Sequence, residues 1–305
     1  MIARAPGKVV VSGAYAVLEG APAIVTAVDR YVTADTSRPP HFTTPEVRAA
    51  LGERTAPWFD ATPLRDGDEK LGLGSSAAIL VASLGAVLAE ETAFDGDADL
   101  RKAVLDRAIV AHRVAQGGGS GVDVATSTLG GTIAARRDGD LLRTHAVVLP
   151  RELHLALLAA GVPASTSALV AKVNAAKSAS RADYDAVMER LFRAADEAER
   201  GFETGSAELI VAALALQLVG LTDLGRLAGA SIVTPEVARL SAHAGREGAV
   251  VLPAGAGGGD IAIYAGIAPP SAELRRAFDA ERHRTLDVRF GVRGLHQIPR
   301  ENAVG

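Results

Sequence analysis

A chain of 305 residues, 48% of them hydrophobic, is long enough to bury a sizeable core as one large domain or two lobes. Its formal net charge of −4, with both signs mixed, supplies no basic face for nucleic acid or anionic lipid. The absence of cysteine excludes a disulfide framework, a thiolate metal site and a cysteine nucleophile. Any recognition of phosphate has to be local, and a small-molecule ligand is expected. The first residues, Met1 to Lys8, lack the long apolar stretch of a secretion signal, so the expected compartment is the cytoplasm.

The β-branched runs Val9-Val10-Val11 and Ala23-Ile24-Val25 bracket a turn at Leu18 to Pro22, and predict sheet strands within residues 1–35. Residues 37–70, rich in Pro, Thr and charge, are expected to be the least regular part. Helical periodicity follows at Ser76–Glu90 and Leu100–Gln116, then a glycine cluster and a further helix from Val122. Strands are expected at Gly131–Ala135 and Leu153–Ala159. A helical region spans Ser165–Gly245, with Gly201 and Gly225 as breaks, followed by strands at Ala249–Leu252 and Ile261–Tyr264. The mixture predicts an α+β fold, with domains at 1–150 and 151–305 divided near Val147 to Pro150. Two uncharged runs, Leu71–Ala89 and Leu209–Leu221, are too short or too polar to span a bilayer and read as buried helices.

The chemistry concentrates in three glycine-rich pieces: residues 72–76, Gly117 to Gly121, and Gly255 to Asp260. Each is either a tight turn or part of a shared phosphate-binding cleft. The run Gly72-Leu73-Gly74-Ser75-Ser76-Ala77 leads straight into a helical pattern, which aims first-turn N–H groups and a favourable dipole at an anion. None of the three fits the Walker A spacing or the dinucleotide pattern G-x-G-x-x-G after a strand. Asp123 is either a first-turn acid or a carboxylate that orients a substrate and takes its proton. Lys8 is either a solvated strand end or a cation that offsets charge on a transferred phosphoryl group. One of Ser75 and Ser76 is expected to cap the helix, leaving the other for a magnesium ion or phosphate oxygen. Ser165-Thr166-Ser167 reads first as a capped helix start and alternatively as a seat for an anionic substrate end. His112 is a lone helical histidine, a type that is more often structural than a ligand.

Taken in order, these residues resemble the GHMP small-molecule kinase superfamily and, within it, the phosphomevalonate kinases. Ala5-Pro6-Gly7-Lys8 with Ser12-Gly13-Ala14-Tyr15 is similar to the first superfamily motif, Gly72 to Ala78 to the second, and Gly255 to Asp260 to the third. Ala14 departs from the Gly-Glu pair of galactokinases and mevalonate kinases. Ala111-His112 through Gln116-Gly117, then Gly119-Ser120-Gly121-Val122-Asp123-Val124-Ala125, resembles the phosphomevalonate kinase pattern; mevalonate kinases carry an acidic metal ligand where His112 stands.

The resemblance implies an N-terminal lobe like the second domain of ribosomal protein S5, a ferredoxin-like C-terminal lobe and an active site between them. It implies ATP held by Gly72, Leu73, Gly74, Ser75, Ser76 and Ala77, Mg²⁺ helped by Ser76, and catalysis by Lys8 and Asp123. Acceptor positions would be Lys8, Tyr15, Ser120, Gly121, Ser165, Thr166, Gly257, Gly258 and Asp260. The reaction implied is ATP-dependent phosphorylation of 5-phosphomevalonate to the diphosphate. The rivals are a kinase of mevalonate or a sugar, and a non-catalytic nucleotide-binding member of the fold. No nucleic acid or membrane partner is expected, and a homodimer is left open. Arg4, Lys70, Lys172 and Arg293 are candidates to grip the acceptor phosphate.

Overall fold

A computed structural model describes residues 1–67, 69–160 and 165–298. In chain order, the strands β1 (Ile2–Ser12) and β2 (Pro22–Asp35) grow from the two β-branched runs and flank a short 3-10 turn at Ala16–Glu19. Then come α1 (Pro45–Leu51), β3 (Trp58–Asp60), a 3-10 turn at Thr62–Leu64, and the two-residue strands β4 (Arg65–Asp66) and β5 (Glu69–Lys70). Three helices follow: α2 (Ser75–Glu91), α3 (Asp97–Gln116) and α4 (Val122–Leu129). Next are β6 (Thr132–Asp138), β7 (Leu141–Val147) and β8 (His154–Ala159), then α5 (Thr166–Ala179), α6 (Arg181–Thr204), α7 (Ala207–Leu227) and α8 (Pro235–Gly245). The described chain ends with β9 (Val250–Pro253), β10 (Ile261–Gly266), α9 (Ala272–Ala280), β11 (Arg284–Leu286) and β12 (His296–Ile298). The expected α+β mixture is what forms.

Two compact units result, neither a continuous stretch of chain. Of the described residues, the first takes Met1–Val9, Val25–Ile133 and 288–298; the second takes Val10–Ile24 and Ala134–Asp287. β1, β2, β6, β7 and β12 belong to a sheet ordered β12-β1-β2-β6-β7, with β3 also paired to β2.

Within the first unit, β12 runs antiparallel to β1 with Ile2 opposite Ile298 and Arg4 opposite His296, and β3 runs antiparallel to β2. α2 is the core helix: every residue from Ala77 to Leu88 is buried, as a sequence apolar on all sides requires. α1, α3 and α4 pack around it. The stretch expected to be irregular therefore holds α1, started by Thr44, whose hydroxyl accepts a hydrogen bond from the Val47 N–H at 3.3 Å, with Pro45 at the first helical position.

Within the second unit, an antiparallel sheet ordered β11-β8-β10-β9 aligns Tyr264 with Ala156 on one side and Val251 on the other. Its core joins Leu158, Leu240, Val251, Tyr264 and Phe278, the last two rings meeting edge to face at 6.4 Å. The helical region does not break at Gly201 or Gly225. Both lie inside helices, because they are sites of close approach: a Cβ on Gly201 would stand 2.7 Å from Ile210 Cγ1, and one on Gly225 2.8 Å from the Ala230 carbonyl oxygen. The α6–α7 break falls instead at Gly205, in the left-handed region at φ 71°, and Ser206, which caps α7.

Among the described residues α7 is the one helix long and apolar enough to cross a membrane, by length and composition. Half of its most apolar window is buried in the protein, against α6 and the sheet. Gln217 at its centre is 2% exposed and accepts hydrogen bonds from the Gly13 N–H (2.8 Å) and the Ser12 hydroxyl (3.1 Å). A buried amide with such partners marks a core helix of this unit.

Candidate active site

Lys8 is placed by two glycines. The Lys8 N–H donates to the Leu73 carbonyl at 2.9 Å, which lays β1 alongside the loop that precedes α2. Gly7 permits this approach, since a Cβ there would sit 2.7 Å from Leu64 Cδ2 and 3.0 Å from the Leu73 oxygen. Gly74 passes beneath the lysine stem: a Cβ on it would lie 2.7 Å from Lys8 Cε. The side chain crosses the loop, 8% exposed, and its Nζ reaches Asp123 Oδ1 at 3.3 Å. Asp123 stands in the first turn of α4, behind Gly121 at φ 82°. The separation between residues 8 and 123 is bridged inside one unit.

The 72–77 loop ends in an uncapped helix. Ser75 and Ser76 were both expected as possible caps, but the N-cap is Gly74, at φ 75°, with no side-chain capping bond. Ser75 and Ser76 are instead the first two helical residues. The N–H groups of this turn are therefore not claimed by a capping side chain, and the dipole at this end favours an anion. Both hydroxyls are consequently released from capping duty.

Gln116 reaches this turn and Glu46 is tied to it through Gln116, two residues that the sequence reading did not select. Gln116, the last residue of α3, donates from Nε2 to Ser76 Oγ at 3.3 Å and to Glu46 Oε1 at 3.0 Å. Glu46, in the first turn of α1, is 7% exposed. Burial works against its ionisation, yet the Gln116 amide, its own backbone N–H and Thr44 together hold it below the usual carboxylate range. Thr44-Pro45-Glu46 is a legible helix start; nothing in it announces which helix the carboxylate will meet.

His112 is one turn before Gln116 on α3, 6% exposed, and among the described residues neither ring nitrogen has a hydrogen-bond partner. Burial pushes its pKa down, against the opposing pull of Asp123 and Glu46, so the ring is neutral at pH 7. Ser120 takes a local role: its hydroxyl accepts from the Val122 N–H at 3.4 Å and its carbonyl from Arg113 at 3.5 Å. Arg293 forms an ion pair with Asp97, and Arg4 Nε donates to Thr33 Oγ1 at 3.1 Å.

The remaining expected positions belong to the second unit. Tyr15 is held at φ 62°, unusual for a residue with a side chain, and its hydroxyl donates to the Ala256 carbonyl at 2.7 Å. Burial raises its pKa strongly, so the phenol keeps its proton. Gly257 has φ 80°, and a Cβ on it would overlap the Ile232 carbonyl oxygen at 2.1 Å; the Gly258 N–H donates to that same oxygen at 3.1 Å. The Asp260 carbonyl accepts from the Ala160 N–H at 3.4 Å. Ser165 is the N-cap of α5, accepting from the Ala168 N–H at 3.3 Å, so the capped-start reading describes it and Thr166 opens the helix.

Magnesium prefers hard oxygen ligands. The Ser76 hydroxyl is such a donor, and with Gln116 on one lone pair it keeps the other for a cation, so the residues present fit the ion.

The chain is similar to several known proteins. The profile described as GHMP kinases N terminal domain matches residues 61–131, the stretch holding the 72–77 loop, Gln116 and Asp123. The mevalonate kinase of Archaeoglobus fulgidus is 29% identical over 283 residues, covering 85% of this chain and 90% of that protein. The phosphomevalonate kinase of Streptomyces sp. (strain CL190) is 28% identical over 363 residues, covering 93% of each. The solved Streptococcus pneumoniae phosphomevalonate kinase, in complex with phosphomevalonate and AMPPNP, matches with a TM-score of 0.77 over 95% of this chain and 99% of that one, at 18% identity. Residues 61–131 therefore match the N-terminal domain of the GHMP kinases, the chain has the α+β fold of these solved structures, and both mevalonate kinase and phosphomevalonate kinase are among its relatives.

Proposed function

We propose that the protein is an ATP-dependent phosphotransferase that converts 5-phosphomevalonate to 5-diphosphomevalonate. The observation that carries this reading is the Lys8–Asp123 pair at 3.3 Å, set on the loop that opens the uncapped α2. An amine, a carboxylate and a free helix start in one unit supply what phosphoryl transfer asks of a protein, which is positioning and charge stabilisation. The run from Ala111 to Ala125, with His112 rather than an acid, favours the phosphorylated acceptor.

Such an acceptor is already an anion, with a second phosphate pKa of about 6, so a strong base is unnecessary at neutral pH. Asp123 holds the Lys8 ammonium in place and orients the acceptor. Lys8 offsets the repulsion between two approaching phosphates and the charge that develops on the transferred group. The first-turn N–H groups from Ser75 to Ala77 bind the nucleotide phosphates, and the Ser76 hydroxyl holds Mg²⁺. When bound, that ion supplies neutralisation of charge on the phosphate oxygens. By the same resemblance, the loop at 255–260 and Tyr15 are proposed as acceptor-binding parts of the second unit.

The test is coupled ADP release with mevalonate, 5-phosphomevalonate, galactose and homoserine as acceptors. Turnover of 5-phosphomevalonate at a kcat/KM well above the others is expected. Mevalonate is the second reading, favoured by the identity to the archaeal mevalonate kinase. Turnover of mevalonate or a sugar without turnover of 5-phosphomevalonate would reject the first.

A further inference from the structure

Gln116 joins three helices of the first unit through one nitrogen. Its Nε2 lies 3.0 Å from Glu46 Oε1 on α1 and 3.3 Å from Ser76 Oγ on α2. An amide nitrogen has two N–H donors and no acceptor capacity, so the direction of both bonds is fixed. Turning the amide over would set its oxygen against the Glu46 carboxylate, which only accepts. The carboxylate is itself buried and bonded. It is 7% exposed, sits in the first turn of α1, and is kept in its ionised form by Gln116, its own N–H and Thr44. Gly117, at φ 69°, stops α3 directly after Gln116 and so fixes where that side chain starts.

The consequence falls on Ser76. A first-turn serine with nothing to bond samples several χ1 wells. Here its oxygen is held as the acceptor of a bond whose donor is anchored to a buried anion on another helix. The hydroxyl proton and the second lone pair then have defined directions away from Gln116. From the contacts around this turn, we infer that Glu46 and Gln116 are positioning residues, which act through Ser76 to set the oxygen that meets the metal–nucleotide complex. The inference rests on the reading of 72–77 as the nucleotide loop. The effect of both side chains passes through one hydroxyl.

A double-mutant cycle measures that passage. Calorimetric titration with Mg·AMPPNP, and with AMPPNP in excess EDTA, is carried out on the wild type, Gln116→Met, Ser76→Ala and the double variant, each checked by thermal melting. Gln116→Met should weaken Mg·AMPPNP about tenfold, in the range seen when partners of metal ligands are removed, and metal-free AMPPNP by much less. In the Ser76→Ala background the same change should add less than about twofold. Independent, multiplying losses, or a folded Gln116→Met that binds Mg·AMPPNP as the wild type does, would overturn the inference. Should Gln116→Met fail to fold, Glu46→Gln serves as the second variant, since it keeps an acceptor oxygen while removing the fixed charge; it should weaken Mg·AMPPNP in the same direction, again only when Ser76 is present, and unchanged binding would count against the relay. A wild type that binds no Mg·AMPPNP would refute the nucleotide-loop reading itself, a result distinct from an additive cycle in a protein that binds.

Discussion

Removing the two members of the Lys8–Asp123 pair should have unequal consequences for stability and the same consequence for activity. At 3.3 Å the Coulomb attraction is about 5 kcal/mol for an effective dielectric near 20. Lys8 is 8% exposed and Asp123 33%, so the desolvation penalty, several kcal/mol for a buried ion, falls mainly on the ammonium. The two terms nearly cancel. Lys8→Met removes both and leaves a carboxylate that water can reach, so the melting temperature should move by less than about 2 °C, at about 2 °C per kcal/mol for a chain of this size. Asp123→Ala leaves the buried ammonium without that partner, a change worth about 3–5 kcal/mol and a fall of about 6–10 °C. Coupled ADP release should drop by about 10²–10³-fold in each, the usual effect of deleting a charge-stabilising group. A Lys8→Met protein that keeps activity within threefold of wild type, or that melts as low as Asp123→Ala, would refute the reasoning.

Gly257→Ala forces a Cβ to within 2.1 Å of the Ile232 carbonyl oxygen at a φ of 80°; about 2–5 kcal/mol of destabilisation is expected, read as a lower melting temperature and faster proteolysis at residues 255–260. Gly245→Ala, which meets nothing within 4 Å in α8, should hold the melting temperature or raise it slightly. Burial opposes ionisation of Glu19, but Lys177 at 2.5 Å, the Tyr184 hydroxyl at 3.0 Å and nearby Arg181 outweigh it and hold its pKa below the ordinary value. A carboxylate lowered in the folded state stabilises above its unfolded pKa of about 4.3 and loses that stabilisation as pH falls through its folded pKa. Glu19→Gln should therefore flatten the acid limb of a melting-temperature profile below about pH 4.5, and an unchanged limb would contradict the assignment.

The start of α2 was legible because glycines and hydroxyls run without interruption into an apolar pattern, and α3 and α4 followed from periodicity bounded by glycine. Position along the chain could not reveal that Lys8 meets Asp123, since that contact depends on where β1 passes the loop, which Gly7 and Gly74 decide by having no side chains. Gly201 and Gly225 misled for a related reason: a glycine that admits a neighbouring helix looks, in sequence, like one that ends its own. Glu46 escaped notice because its segment was read as irregular. A seven-residue helix leaves little periodicity to detect, and only its cap and proline announce it. Gln116 stood inside a recognised run, yet its role depends on two helices elsewhere in the chain.

The way the helices begin narrows the choice of site. Thr44, Ser165, Ser206, Thr234 and Ser271 cap α1, α5, α7, α8 and α9 with hydroxyl-to-N–H bonds. Each such cap is worth about 1 kcal/mol. α2, α3 and α4 forgo it and start behind Gly74, Gly96 and Gly121, all at positive φ. Two of these three starts carry their own anions: Asp97 and Asp99 on α3, with Asp97 paired to Arg293, and Asp123 on α4, paired to Lys8. Among the described α-helices, only α2 has neither a capping side chain nor an acid in its first turn, and the buried Lys8 is drawn over its N-cap. A helix start with no capping side chain and no acid of its own, set beneath a cation, forgoes the stabilisation that such a cap gives its neighbours. An incoming phosphate supplies the charge that this arrangement lacks.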